Sequence, residues 1–282
     1  MNGILVINKE KDYTSRDVVN IVSKELNTKK VGHTGTLDPI ATGVLVLCIG
    51  KCLKLSELLT SNDKEYIAKV KLGVETDTLD ITGTITYRKE NISINKEDII
   101  NCLKHFKGKI KQEVPKYSAV KVNGKKLYEY ARKNQEVKLP IKEVEIHSLE
   151  LISDIEDNEF YIKCNVSKGT YIRSLIRDIG RYLNTYATMT ELTRIRQGLF
   201  TIENSFTLED IKSNKYKLLN PKDVIDLPKK KVDDYLAKKI KNGMVLPSFF
   251  NEEKAIILDK DDNLLAIYKH IDDNKVKPYK ML

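Results

Sequence analysis

Alternating and continuous apolar runs predict several strands in this chain. Residues 3–8 and 44–49 are almost entirely apolar, which is typical of strands buried on both faces. Between residues 65 and 72 the apolar side chains occupy every second position, so Tyr66 is expected on the inward face of a strand. The same reasoning predicts further strands at 84–88, 144–153 and 159–166.

Apolar residues at helical spacing predict the main helices. One begins near Thr14, and a second spans residues 96–106. A third is expected to begin at Gly169, with Tyr171 and Arg173 in its first turn. Its predicted buried stripe consists of Ile172, Leu175, Ile176, Ile179 and Leu183. Shorter helices are predicted at 51–59 and 125–133.

The pattern changes after Pro228, which precedes three consecutive lysines. A short helix at 233–241 and strands at 255–258 and 264–268 are predicted beyond it. We therefore expect an α+β protein with two domains. They are a large domain at 1–228 and a small, mostly β domain at 229–282.

Net positive charge is concentrated in one segment. The 282 residues include 49 Lys and Arg against 40 Asp and Glu, and a hydrophobic content of 41% excludes an intrinsically disordered chain. Twelve basic and three acidic residues lie between Lys104 and Lys142, a surplus equal to the +9 of the whole chain. Aromatic residues are interleaved with these lysines, which is typical of surfaces that bind RNA loops. The alternative is a helix with a solvated basic face and core tyrosines.

Arginine is distributed differently from lysine. Five of the chain's eight arginines lie within residues 173–196, namely Arg173, Arg177, Arg181, Arg194 and Arg196. A guanidinium group binds carboxylates and phosphates through a planar fork that an ammonium group does not offer. For Arg177 and Arg181 a face of surface cations is the alternative.

Composition also bears on localisation and cofactors. The longest apolar run, residues 43–50, is too short to span a bilayer, and the N-terminus has no signal-peptide pattern. Four cysteines in a chain of this length favour free thiols in a reducing compartment. The four histidines form no ligand-spaced cluster. We therefore expect a cytoplasmic protein without membrane association, a metal or another cofactor.

Residues 32–43 form the least generic string in the chain, Gly-His-Thr-Gly-Thr-Leu-Asp-Pro-Ile-Ala-Thr-Gly. Three glycines and a proline predict a loop of fixed shape directly before a buried strand. Asp38 is its only acidic residue, although a bare Asp-Pro pair by itself usually only opens a turn.

This string resembles the GHTGxLDPxATG signature of the TruB family of tRNA pseudouridine synthases. Four further stretches resemble the family in the same order, at 63–66, 115–132, 167–173 and 192–200. The resemblance implies a pseudouridine-synthase fold, with a mixed, largely antiparallel central sheet flanked by helices and loops. It also implies isomerisation of uridine 55 in the T loop of tRNA, by base flipping and without a cofactor.

The resemblance further implies roles for individual residues. Asp38 corresponds to the essential catalytic aspartate. Such a residue suits the reaction, because breaking the N-glycosidic bond needs a carboxylate at the anomeric carbon, as nucleophile or as stabiliser. Arg173 corresponds to its ion-pair partner, and Tyr66 to the residue that stacks on the base. His33 corresponds to the residue that fills the gap left in the RNA stack. The implied substrate-binding residues are His33, Tyr66, Tyr171, Arg173 and Leu192.

Within the resemblance, residues 114–142 correspond to an insertion that closes over the T arm, here called the thumb segment. Its basic side chains are expected to supply salt-dependent affinity for RNA. They include Lys116, Lys121, Lys125, Lys126 and Arg132. The domain at 229–282 resembles a PUA-like RNA-binding domain. We expect a monomer with no obligate protein partner.

Two other functions remain open. An RNA chaperone that refolds tRNA would use the same groove without chemistry. An RNA-guided relative of the family would share the catalytic motif, but this chain has no lysine-rich tail or large second domain for guide-RNA assembly.

Two departures from the family pattern concern loops near the motif. The family commonly has Lys-Pro-x-Gly-x-Thr-Ser where this chain has Glu10 and Asp12 in place of proline and glycine. We expect that loop to be less rigid. Thr193 replaces an arginine of the usual Leu-Arg-Arg, which removes one cation near the pocket.

Overall fold

The computed structural model describes residues 1–60 and 63–282. Its helices are α1 (Ser15–Glu25), α2 (Ser56–Thr60), α3 (Lys96–His105), α4 (Leu127–Arg132), α5 (Ile172–Tyr182), α6 (Leu208–Lys212), α7 (Pro221–Val224) and α8 (Asp234–Lys241). Short 3₁₀ helices lie at Gly50–Leu55 and Ile202–Asn204.

The strands fall into a large central sheet, a five-stranded sheet near the C-terminus and two hairpins. They are β1 (Gly3–Lys9), β2 (Val31–His33), β3 (Thr42–Ile49), β4 (Lys64–Leu72), β5 (Val74–Thr76), β6 (Ile85–Arg88), β7 (Gly108–Glu113), β8 (Lys121–Val122), β9 (Lys125–Lys126), β10 (Ile141–Leu151), β11 (Glu159–Val166), β12 (Ala187–Gln197), β13 (Phe200–Thr201), β14 (Lys229–Lys231), β15 (Leu246–Pro247), β16 (Lys254–Leu258), β17 (Leu264–Asp272) and β18 (Lys275–Met281).

The central sheet is mixed and largely antiparallel, as expected. Its main path runs β1-β3-β12-β4-β11-β10-β7, with β2 beside β3 and β13 beside β12. Strand β12 is parallel to β3 and antiparallel to β4, whereas the other neighbours on the path are antiparallel. Two segments far apart in sequence, β3 and β12, therefore meet in the middle of the sheet.

Helix α5 packs against β12 and β4. Four residues of the predicted stripe are confirmed as buried, since Leu175, Ile176 and Ile179 are fully buried in the main core and Ile172 is 4% exposed. The fifth, Leu183, is half-buried and is the C-cap of the helix. Burial of such side chains contributes about 1.5–3 kcal/mol each relative to exposure. The helix begins at Ile172, however, because Gly169 has φ +83° and Tyr171 is the N-cap.

The five-stranded sheet has the order β14-β16-β17-β18-β15, and α8 packs against β17. Ile256 and Ile267 of this sheet share a core cluster with Val44 and Val46 of β3. The small sheet thus packs on the central one through apolar side chains, and it begins at Lys229, the first residue of the predicted second domain.

Three of the longer strands were not anticipated from the pattern, namely β7, β12 and β18. Strand β12 carries polar side chains on both faces, so alternation could not reveal it. The predicted helix at 51–59 is a 3₁₀ helix continued by α2. No helix in the described residues is long and apolar enough to cross a membrane.

Candidate active site

Asp38 lies in the loop that joins β2 to β3. Hydrogen bonds from the start of α1 fix the position of this loop. The Ser15 hydroxyl accepts a hydrogen bond from the Leu37 N–H at 2.9 Å and donates to the Leu37 carbonyl at 3.1 Å. The N–H of Ala41 donates to the Asp38 carbonyl at 3.0 Å and closes a turn. The residues around Asp38 are therefore fixed by hydrogen bonds from two directions.

Lys9 is a second support of the loop. Its side chain is fully buried, and Nζ donates to the carbonyls of Tyr13 at 2.6 Å, Glu10 at 2.8 Å and Pro39 at 3.3 Å. Burial lowers the pKa of Lys9 to about 8, and the nearby charge of Asp38 opposes that shift.

Asp12, which stands where the family pattern has glycine, has a left-handed backbone. Asp12 has φ 71°, and its N–H donates to the Pro39 carbonyl at 2.8 Å. The segment is thus tied to the Asp38 loop despite the substitutions. The Thr193 hydroxyl instead pairs with that of Thr42 at 2.8 Å.

Asp38 and Arg173 form a two-point ion pair. Arg173 Nε lies 2.9 Å from Asp38 Oδ2, and Nη2 donates to Oδ1 at 3.0 Å. The same guanidinium donates to the carbonyls of Thr78 at 2.8 Å and Tyr117 at 3.0 Å. The Arg173 side chain is 5% exposed and that of Asp38 33%. The arginine therefore holds the carboxylate in one orientation at the edge of a cavity.

This cavity has a volume of about 270 Å³. Its walls come from the Asp38 loop, the start of β4, the segment before α5, the middle of β12 and the root of the thumb segment. Among the predicted residues it brings together Asp38, Tyr66, Tyr171, Arg173 and Leu192. Leu192 supplies an apolar surface that is 6% exposed.

Tyr66 is 7% exposed and lies on the inward face of β4, as predicted. Burial raises the pKa of its phenol, and the positive charge of Arg194 opposes that shift. Arg194 is itself 1% exposed and donates to the carbonyls of Val44 at 2.7 Å and Gly35 at 3.0 Å.

Tyr171 joins the cavity to the thumb segment and to β7. Its N–H donates to Gln112 Oε1 at 2.8 Å, and Ser118 of the thumb segment lines the same cavity. Burial raises the pKa of Tyr171. Nζ of Lys142 lies 5.9 Å from the centre of its ring.

His33 lies on β2, outside the cavity lining. Its Nδ1 is buried and has no hydrogen-bond partner among the described residues. Burial lowers the pKa of the imidazole, and the charges of Arg16 and Arg194 lower it further.

The thumb segment exposes most of its charge. Lys121, Lys125 and Arg132 are exposed, whereas Lys116 and Lys126 are half-buried. Nζ of Lys126 and the guanidinium of Arg132 each lie 5.3 Å from the ring centre of Tyr128. The segment therefore presents cations and an aromatic ring together on a hairpin and a short helix.

Arg177 and Arg181 of α5 both form ion pairs, whereas the alternative drawn from the sequence was a face of surface cations. Arg177 is buried and pairs with Glu113 at 2.9 Å and Asp178 at 2.8 Å, so that alternative was wrong for it. Arg181 is half exposed and binds Glu75 at 2.6 Å.

Arg194 and Lys64 line the cavity without having been assigned a role from the sequence. The sequence offered one indication that Arg194 is functional, because five of the eight arginines lie within residues 173–196. No group of three or more potential metal ligands occurs in the described part of the chain.

Solved structures define the class of the fold. The chain aligns with a Cbf5-Nop10-Gar1 complex structure at TM-score 0.71 and 27% identity, covering 95% of this chain and 78% of that one. It aligns with an H/ACA RNP bound to a substrate RNA containing 2′-deoxyuridine at TM-score 0.72 and 24% identity, covering 99% and 84%. The second likeness concerns the fold alone.

Family models define the group more narrowly. The model of the TruB family pseudouridylate synthase N-terminal domain matches residues 23–172, and that of the tRNA pseudouridylate synthase B C-terminal domain matches residues 173–236. The chain belongs to the TruB family.

Relatives named tRNA pseudouridine synthase B match over most of their length. The protein of Bacillus pumilus is 40% identical over 100% of this chain and 98% of its own. The protein of Clostridium tetani is 40% identical over 95% of this chain and 92% of its own. The protein of Fusobacterium nucleatum is 50% identical over 72% of this chain and 70% of its own.

Proposed function

We propose that this protein is a tRNA pseudouridine synthase, an isomerase that converts uridine 55 in the T loop to pseudouridine. The observation that carries the proposal is the Asp38–Arg173 pair at the edge of a cavity beside a basic segment. The names of the full-length relatives support the same activity.

Asp38 is proposed as the catalytic residue. Its carboxylate faces the anomeric carbon of the flipped nucleotide, as nucleophile or as stabiliser of positive charge there. Arg173 fixes its orientation, because a guanidinium fork holds both carboxylate oxygens. Base flipping is required, since a stacked uridine cannot bring its glycosidic bond to a carboxylate.

The other predicted residues are proposed to bind the substrate. Tyr66 stacks on the base, Tyr171 and Leu192 complete the base pocket, and His33 fills the gap left in the RNA. The position of His33 outside the cavity suits a contact with the RNA stack.

Affinity is proposed to come from the thumb segment closing on the T arm. Its exposed basic side chains would displace counterions from phosphates, which gives binding that weakens with salt. Residues 229–282 are proposed as a PUA-like RNA-binding domain that packs against the large domain. We propose a monomer that works without a cofactor or protein partner. The four free, buried cysteines support a reducing cytoplasm.

The test is conversion of an unmodified tRNA transcript, with pseudouridine mapped by carbodiimide-dependent stops in primer extension. We expect one stop at position 55 in the T loop. Asp38→Asn should abolish it and leave the dissociation constant for tRNA within a few-fold of wild type. An RNA chaperone without chemistry would leave no stop with either protein.

A further inference from the structure

The cavity carries more positive charge than the proposed roles use. Among the described residues that line it, Lys64, Lys168, Arg173 and Arg194 are cationic and Asp38 is the carboxylate. Arg173 is neutralised by Asp38. The positions of Lys64 and Arg194 in the wall remain to be explained.

Arg194 is a buried cation in the cavity wall. Its hydrogen-bond partners within the described residues are uncharged, namely the carbonyls of Val44 and Gly35. Burying a guanidinium at 1% exposure without a carboxylate costs desolvation energy that carbonyl oxygens offset only in part. An anion in the cavity would complete the site.

Lys64 brings a second cation to the same wall. Its side chain is 8% exposed, and Nζ donates to the Thr60 carbonyl at 3.2 Å. Burial, and then the charge of Arg194, lower the pKa of Lys64 to about 8, with Asp63 opposing and Lys168 adding to the shift. At neutral pH it is therefore still mostly protonated, and it adds a positive charge near Arg194.

Tyr66 does not contribute a negative charge to this wall. Because burial raises the pKa of the phenol, Tyr66 stays uncharged at neutral pH. The wall beside the base pocket thus holds two positive charges next to an aromatic ring and to Leu192.

The proposed reaction generates an anion at this place. When the N1–C1′ bond breaks, its electron pair leaves with the base as a uracil anion, and C1′ becomes electron-poor beside Asp38. The anion then uses an electron pair at C5 to form the C5–C1′ bond. Finally the C5 proton is lost and N1 gains a proton, so uridine and pseudouridine have the same composition.

We propose that Lys64 and Arg194 stabilise the uracil anion between cleavage of the N1–C1′ bond and formation of the C5–C1′ bond. This inference rests on the proposed function. Buried charges placed where negative charge develops lower the barrier without reorganisation during the reaction. A buried charge stabilises an anion in the cavity electrostatically without touching it, whereas binding an RNA phosphate needs an accessible cation. Arg194 is 1% exposed, so the exposed Lys168 is better suited to bind a phosphate.

The test varies the leaving group. A fluorine at C5 withdraws electrons and stabilises the uracil anion by itself, so a 5-fluorouridine substrate depends less on the protein's cations. Transcripts with uridine or 5-fluorouridine at position 55 are compared under single-turnover conditions. Loss of the target nucleoside is followed by nuclease digestion and chromatography.

For Lys64→Met we expect uridine consumption to slow about 10²-fold, as for loss of one charge-stabilising donor, and 5-fluorouridine consumption to slow less than about 10-fold. Lys64→Arg, which keeps the charge, should recover most of the uridine rate. Lys64→Gln replaces the Met variant if the latter does not fold. Lys168→Met is the matched control, with both substrates slowed equally.

Equal slowing of both substrates by Lys64→Met would overturn the inference, as would a change confined to tRNA affinity, which is the phosphate-binding outcome. Failure of the wild-type protein to consume uridine would instead contradict the proposed function. The two failures are therefore distinguishable.

Discussion

Arg173 donates from Nη2 to both Asp38 Oδ1 and the Tyr117 carbonyl, each at 3.0 Å. One guanidinium thus connects the loop that carries the carboxylate with the root of the thumb segment. A movement of the thumb segment on RNA would therefore be transmitted directly to the orientation of Asp38.

Arg173→Lys should slow conversion at saturating tRNA by roughly 10²-fold, because a single ammonium cannot hold both carboxylate oxygens and the two carbonyls. Single-turnover rates measure this. Arg181→Lys, on the same helix but pairing with Glu75 outside the cavity, is the control and should remain within about three-fold of wild type. Equal rates for Arg173→Lys and wild type would contradict the role of the fork.

Replacement of Lys121, Lys125 and Arg132 by Gln should weaken tRNA binding. The slope of log affinity against log salt should fall by about 0.7–0.9 for each phosphate that the protein no longer neutralises. Filter binding between low and moderate salt measures both quantities. Replacement of the exposed Lys212, Lys215 and Lys217, outside the thumb segment, removes the same charge and should change the slope less. Identical slopes for the two triple variants would rule out a specific role of the thumb segment in binding.

Asp12→Gly should raise the free energy of unfolding by about 0.5 kcal/mol, since glycine adopts φ 71° without a Cβ penalty but loses more entropy on folding. Asp12→Ala is the matched variant and should lower it by about 1 kcal/mol, because alanine tolerates this backbone less well than Asp. Urea denaturation gives the order. If alanine proved as stable as glycine, positive φ would not explain the glycine of the family pattern.

Glu159 should stabilise the outer face of the sheet in a pH-dependent way. Hydrogen bonds from Lys69 and Lys71, at 2.7 and 2.9 Å, lower its pKa below the ordinary 4.5. Its contribution is therefore full above that value and is lost as the pH falls through the depressed pKa. Glu159→Gln should cost about 0.5–1 kcal/mol at pH 7, and the difference from wild type should shrink below pH 4.

Urea unfolding of wild type and Glu159→Gln at pH 7, 5 and 3.5 measures this difference. Glu156→Gln, an exposed neighbour outside the lysine pair, is the control. A cost of the Glu159 substitution that is independent of pH would contradict an electrostatic origin.

Much of the site was predictable where local chemistry determines it. The loop around Asp38 was recognisable from its glycines and proline, and the burial of Tyr66 followed from strict alternation in β4. The burial of Arg177 was not predictable in the same way. Its partner Glu113 lies on β7, and the lysines of this strand obscure the apolar alternation that would have predicted it.

The strand β12 shows why the rest was missed. Leu192 and Arg194 lie on it, and several of its polar side chains bind partners on β3, β4 and the Asp38 loop. Such a strand has no simple alternation, since both faces are defined by tertiary contacts. The buried Arg194 is therefore visible only once the sheet is assembled.

The insertion of β12 between β3 and β4 also has a consequence for biosynthesis. The hydroxyls of Thr42 and Thr193 that meet there are separated by 151 residues. At about 5–20 residues per second, the ribosome needs roughly 8–30 s to make the intervening chain. During that interval Thr42 and Gly43 of β3 lack their partners on β12, whereas residues 47–49 of β3 can already pair with β2.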